Sequence, residues 1–107
     1  MNYPKAIEDL IKAQNNFDSA AYAACFNESG MMLEEGKWYQ GRTEIRQMIE
    51  HANEKYRSVM KPVSLTGPEA SPVLSAEVSG TFPGSPAILK FHFELDGGLI
   101  QSLKVTG

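Results

Sequence analysis

Hydrophobic residues along the chain follow a helical spacing up to Tyr56, interrupted by a hairpin at 31–40, and an alternating one after it. Pro4 stands near the start of the first periodic stretch, where a missing N–H costs nothing. Ile7, Leu10, Ile11 and Gln14 then fall on one helical face, with Ala6 and Ala13 on its flanks, and Asn15-Asn16 break the pattern. Asp18 or Ser19 can cap a second short helix in which Tyr22, Cys25 and Phe26 share a face. Met31–Glu34 and Lys37–Gln40 flank Glu35-Gly36, a two-residue turn with glycine able to take the positive φ. That register pairs Leu33 with Trp38 and Glu34 with Lys37. A long helix is expected over 42–56, with Ile45, Met48, Ile49, Ala52 and Tyr56 as its apolar stripe and Glu44, Arg46, Gln47, Glu50 and Glu54 facing water.

The second half reads as four strands joined by turns. Residues 59–66 form a strand despite Pro62, which points to an edge position or a bulge. After the turn-rich 67–72 segment, Leu74, Ala76, Val78, Gly80 and Phe82 alternate with Val73, Ser75, Glu77, Ser79 and Thr81 as far as the bend at 83–86. Residues 87–95 alternate most clearly, with Leu89, Phe91, Phe93 and Leu95 on one face and Ile88, Lys90, His92 and Glu94 on the other. A three-residue loop at Asp96-Gly97-Gly98 sets Leu95 against Leu99, Phe91 against Leu103 and Leu89 against Val105, an apolar register that a two-residue loop would lose. It leaves Gln101 opposite Phe93 as a lone polar group facing inward.

Helices followed by a meander of antiparallel strands predict an α+β architecture, with helices on one face of a curved sheet. At 107 residues the chain fits a single domain over 1–107 with a thin core. A hydrophobic content of 42% with 21% charged residues is that of an ordinary globular protein. The net charge of −3 argues against nucleic-acid binding, which needs a basic stripe. The N-terminus lacks the apolar run of a signal peptide and no stretch could span a bilayer, so a cytoplasmic location and no membrane partner are expected. One cysteine, Cys25, excludes an internal disulfide and reads as a small buried hydrophobe. No His, Asp or Glu cluster has metal-ligand spacing, and neither a metal nor a cofactor is expected.

The order of these segments resembles the nuclear transport factor 2-like superfamily, and within it the SnoaL-like and ketosteroid-isomerase-like branch. The resemblance is carried by Phe17-Asp18 leading to Phe26, by residues 35–41 before the long helix, and by residues 78–86, 91–98 and Ile100 in the tail. It covers nearly the whole chain. It implies a cystatin-like, cone-shaped roll: a strongly curved, mostly antiparallel sheet wrapped around a long helix, with two N-terminal helices and a pocket at the wide end. It also implies, for the isomerases, an acidic base beyond the first strand, a tyrosine donor on the first helix and a second acid on a later strand. Glu34 lies at or beside the base position. Leu10 or Ile11 stands where the tyrosine would be, and Ile88 or a neighbour where the second acid would be.

The candidate chemistry is therefore sparse. Glu34 is either a general base raised by an apolar pocket or the exposed partner of Lys37. Tyr22, Phe26, Trp38, Tyr56, Phe93 and Gln101 are the candidate pocket-lining residues; the aromatic ones are most simply core. His92, on the outer sheet face with Lys90 and Glu94, suits an interface, and His51 on the long helix suits solvent. Two functions follow: a small-molecule pocket that binds a small apolar ligand, or a non-catalytic dimeric interaction module. A related isomerase or cyclase using Glu34 as base is a third. A homodimer through the outer sheet face is expected, with Val73, Ser75, Glu77, Ile88, Lys90, His92 and Glu94 as contacts.

Overall fold

A computed structural model describes residues 3–107. Helix α1 (Lys5–Asn15) opens directly after Pro4 and buries Ala6, Ile7, Leu10 and Ala13. Helix α2 (Ser19–Ala24) starts on Asp18, whose carboxylate accepts from the Ala21 N–H at 3.0 Å, so Asp18 rather than Ser19 is the cap. Here the expected helix ends early. Phe26 does not continue α2 but begins strand β1 (Phe26–Glu34), which runs through the polar residues Asn27, Glu28 and Ser29 before the expected Met31.

Strand β2 (Lys37–Gln40) pairs with β1 in the expected register, Leu33 with Trp38 and Glu34 with Lys37, across a turn in which Glu35 and Gly36 have φ of 50° and 77°. Helix α3 (Gly41–Tyr56) follows, tied to β1 by the Arg42 Nε–H bond to the Phe26 carbonyl at 2.8 Å. Strands β3 (Val59–Thr66), β4 (Val73–Ser79), β5 (Ala87–Asp96) and β6 (Leu99–Thr106) complete one six-stranded sheet ordered β2-β1-β6-β5-β4-β3. All neighbours are antiparallel except β1 and β6. The result is the curved, unclosed sheet with helices that the sequence leads one to expect.

Pro62 meets both expectations raised for it: β3 is an edge strand, and its register shifts between Pro62 and Ser64. The free edge of β3 is closed by Asn15, whose amide donates to the Met60 carbonyl at 3.0 Å and accepts from the Met60 N–H at 2.7 Å. A side chain at the end of α1 thus substitutes for a strand partner. The alternation of β4 stops at Ser79 because Gly80 lies against α3. A Cβ there would sit 2.5 Å from the Tyr56 carbonyl oxygen.

The last hairpin corrects the expected loop. Its turn has two residues, Gly97 and Gly98, with φ of 61° and 83°, and Asp96 pairs with Leu99. Two left-handed glycines make a tight turn matched to the sheet twist. A bulge then adds one residue at Gln101, between the pairs Leu95–Ile100 and Glu94–Ser102. Beyond it Phe93 faces Leu103 and Phe91 faces Val105, displaced by two residues from the expected pairing. An even displacement preserves the face, so the inward side remains apolar although each partner differs.

The core lies between the helices and this inner face. Phe26, Phe93, Ile7, Leu10, Ile45, Leu74, Ile100 and Leu103 are among its fully buried side chains. No helix among the described residues is long and apolar enough to cross a membrane.

Candidate functional site

The inner face is not filled along its whole length. Between α3 and the strands lies a cavity of about 670 Å³. Its apolar wall includes Met32, Met48, Ile49, Met60, Val78, Leu89, Phe91 and Val105, and Phe82 and Tyr56 meet edge-to-face at its rim with centroids 6.2 Å apart. Its polar lining includes Glu34 from β1, Glu35 from the turn, Tyr39 from β2, Gln14 from α1, Tyr22 from α2, and His51, Asn53 and Lys55 from α3. A smaller depression of about 440 Å³ lies outside α1 and α2, beside the exposed Lys5–Asp9 pair.

The alternation of β1 puts Glu34 in this cavity. Met32 is buried on the inner side, so Glu34, two residues on, follows it to the same side. Although Lys37 is its cross-strand partner, the ammonium lies 5.2 Å from the centre of the Tyr39 ring. The ion pairs among the described residues are Lys5–Asp9 and Arg46–Glu50, and neither involves Glu34. Burial of the carboxyl, with a smaller repulsion from Glu35, pushes its pKa from 4.5 up to about 7. Such a group exchanges a proton near neutral pH.

Tyr22 reaches the cavity from α2 and is only 2% exposed. Its hydroxyl has Met32 Sδ as partner at 4.0 Å, a weak acceptor. Burial first, then the charges of Glu34 and Cys25, hold the phenol far above its ordinary pKa. Tyr22 is therefore a neutral hydrogen-bond donor.

Of the candidate lining residues, Glu34, Tyr22 and Tyr56 border the cavity. Phe26 and Phe93 do not; at 0% and 1% exposure both are sealed in the core, where Phe26 pairs with Ile100 and Phe93 with Leu103. Trp38 also lies outside it, 51% exposed on β2. Its pairing with Leu33 places it on the face opposite Met32, and its neighbour Tyr39 turns inward instead. Gln101 is likewise outside. As the bulge residue it accepts from Asn27 Nδ2 at 3.0 Å and donates to the Ser29 carbonyl at 3.4 Å, linking the irregular stretches of β6 and β1. His51, expected in solvent, is exposed and borders the cavity's rim. His92 lies on the outer face with Nε2 2.9 Å from Thr106 Oγ1.

The residues missed from sequence are Gln14 and Asn53. Ile45, Ile49 and Asn53 form the buried row of α3 at four-residue spacing, and Gln14 sits four residues after Leu10 on α1. A polar residue continuing an apolar row was the available signal for both.

No protein-family description matches the chain, and no curated protein matches it. Solved structures do. A candidate polyketide cyclase from Sinorhizobium meliloti is 27% identical, over 97% of this chain and 95% of that one, with a TM-score of 0.92. A nuclear transport factor 2-like protein of unknown function from Cytophaga hutchinsonii is 16% identical over 99% and 90% of the two chains, with a TM-score of 0.79. An epoxide hydrolase/cyclase-like enzyme of pyran ring formation in salinomycin is 20% identical over 94% and 86%, with a TM-score of 0.74. The same helices, the same curved sheet and near-complete coverage agree on one fold, that of the nuclear transport factor 2-like and ketosteroid-isomerase-like proteins.

Proposed function

We propose that the protein binds a small, largely apolar molecule in the cavity and that Glu34 exchanges a proton with it. The observation that carries this reading is a carboxyl with no ion-pair partner among the described residues, set in the wall of a largely apolar cavity of about 670 Å³, where burial pushes its pKa up to about 7. Tyr22 supplies a neutral donor on the same cavity. The structural neighbours support it from another side, since one is described as a candidate polyketide cyclase and another as epoxide hydrolase/cyclase-like. Ring closure and epoxide opening can both be assisted by a positioned acid or base that moves a proton.

The test is a thermal-shift screen of metabolite-sized apolar compounds against the protein and its Ala52→Phe variant, which fills the cavity from α3. Compounds that stabilise the parent and not the variant support the reading. Hits that stabilise both equally bind elsewhere and contradict it. Glu34→Gln should keep the binding of such a hit and lose any turnover.

A second reading is a dimeric interaction module, favoured by the outer sheet face, where Ile88 is 52% exposed between Lys90 and Glu77. The two readings are compatible, because that face lies on the other side of the sheet from the cavity.

A further inference from the structure

Most polar groups in the cavity wall are already committed. Gln14 Nε2 donates to the Ser58 carbonyl oxygen at 2.8 Å and to Asn53 Oδ1 at 3.0 Å, so the two amides serve each other and the backbone. The Tyr22 hydroxyl meets Met32 Sδ at 4.0 Å. Glu35, His51 and Lys55 also border the cavity, but they are exposed. Glu34 is the exception: half-buried in the wall, it has no ion-pair partner among the described residues. A carboxyl drawn out of water without a cation must keep its proton or bear the cost of an unpaired charge.

Two lysines of this region are turned elsewhere. Lys37 is the cross-strand neighbour of Glu34, yet its ammonium lies 5.2 Å from the centre of the Tyr39 ring. Lys55 borders the cavity, and its ammonium lies 5.0 Å from the centre of the Tyr56 ring. Both rings border the cavity as well, and both distances lie within reach of cation–π attraction. The cavity therefore combines tyrosine faces that hold ammonium groups with a carboxyl that neither lysine pairs. Glu35 adds a second negative charge beside Glu34. Lys55 opposes an incoming cation, but from an exposed position where water and salt screen it.

A neutral ligand leaves this arrangement as it is. A protonated amine changes it. The ammonium supplies the missing charge, Glu34 ionises against it, and the hydrogen bonds between them become charge-assisted, the stronger kind. The apolar remainder of such a molecule would lie against Met48, Leu89, Phe91 and Val105.

We propose that the cavity takes a small apolar amine whose protonated nitrogen pairs with the Glu34 carboxylate. The inference rests on the small-molecule reading above. It deepens that reading by giving the ligand a charge class and an orientation, with its nitrogen toward β1. Either the free base takes the proton of Glu34, or the ammonium enters and that proton leaves for solvent. The bound state is the same ion pair.

The experiment compares amines with alcohols of matching shape at three sizes: cyclohexylamine with cyclohexanol, 2-aminoindane with 2-indanol, and 1-adamantylamine with 1-adamantanol. Isothermal titration calorimetry at about pH 7, in phosphate and again in Tris, gives the affinity and the protons released. At the size that fits, the amine should bind about tenfold tighter than its alcohol. It should also release about half a proton, because Glu34 titrates at about 7, while the alcohol releases none. In Glu34→Gln the alcohol should bind as before, the advantage of the amine should fall to about unity, and proton release should vanish. An amine preference that survives Glu34→Gln overturns the pairing and leaves the pocket standing. Alcohols that bind as tightly as amines at every size do the same. Failure of both series at every size overturns the pocket reading itself.

Discussion

Replacing Glu34 by Gln should make the protein more stable above neutral pH and leave it nearly unchanged in acid. The carboxyl is moved from 4.5 to about 7 by burial and by Glu35, so the folded state disfavours its charged form. Below about pH 4.5 both the folded and unfolded chains hold the proton, and the group favours neither. Between about pH 4.5 and 7 the unfolded chain has released it and the folded chain has not, so stability falls as pH rises. Above about 7 the loss is complete and constant. The full displacement corresponds to about 3 kcal/mol, reduced to about 2 kcal/mol because the residue is only partly buried and water screens it. Urea unfolding followed by far-UV circular dichroism, at half-unit steps from pH 4 to 9, gives both stability curves. Their difference cancels the contributions of titrating groups that do not interact with Glu34. It should open through the window from about 4.5 to 7 and plateau at about 2 kcal/mol in favour of Glu34→Gln. A flat difference would refute the reasoning, and so would one of opposite slope, which a carboxylate paired with Lys37 would produce.

Phe93→Ala should cost about 3–5 kcal/mol in the same assay, because Phe93 is 1% exposed in the core. Phe91→Ala should cost visibly less, since the cavity already lies against that ring, and equal losses would mean a filled interior. Sedimentation equilibrium at micromolar concentration should show a homodimer that Ile88→Glu disrupts, the substitution placing a charge on the outer face where Glu77 is the cross-strand partner. A strictly monomeric parent chain would contradict the interface.

What could be read in advance divides according to how local the determining interactions are. The β1–β2 hairpin was legible because Glu35-Gly36 and the alternation beside it fix turn and register together. The α3 stripe and the edge position of Pro62 were legible for similar reasons. The start of β1 was not. Asn27, Glu28 and Ser29 carry no strand pattern, and their stretch is held by a parallel neighbour seventy-odd positions away, through the Asn27–Gln101 contact. The Gln101 bulge was hidden for the same reason, because nothing in the local sequence distinguishes two glycines plus a bulge from a three-residue loop. Glu34 was visible as a candidate, but its isolation was not, since the position of Lys37 over Tyr39 is a side-chain choice. Trp38 misled by its size: the Leu33 pairing already placed it on the outer face. Asn53 and Gln14 were visible as polar residues on apolar rows, and only the Ser58 carbonyl gives their pairing a direction.

A ligand held in the cavity under the sheet would touch its methionines. Three methionines, Met32, Met48 and Met60, border that cavity, while Met31 alternates to the other side of β1. Methyl-¹³C methionine spectra recorded during titration with the best hit of the thermal-shift screen therefore report occupancy from several walls at once. Saturable shifts are expected at Met32, Met48 and Met60, with Met31 unmoved. Shifts confined to Met31, or no shift at the three cavity methyls while the compound still stabilises the protein, would contradict binding in the cavity.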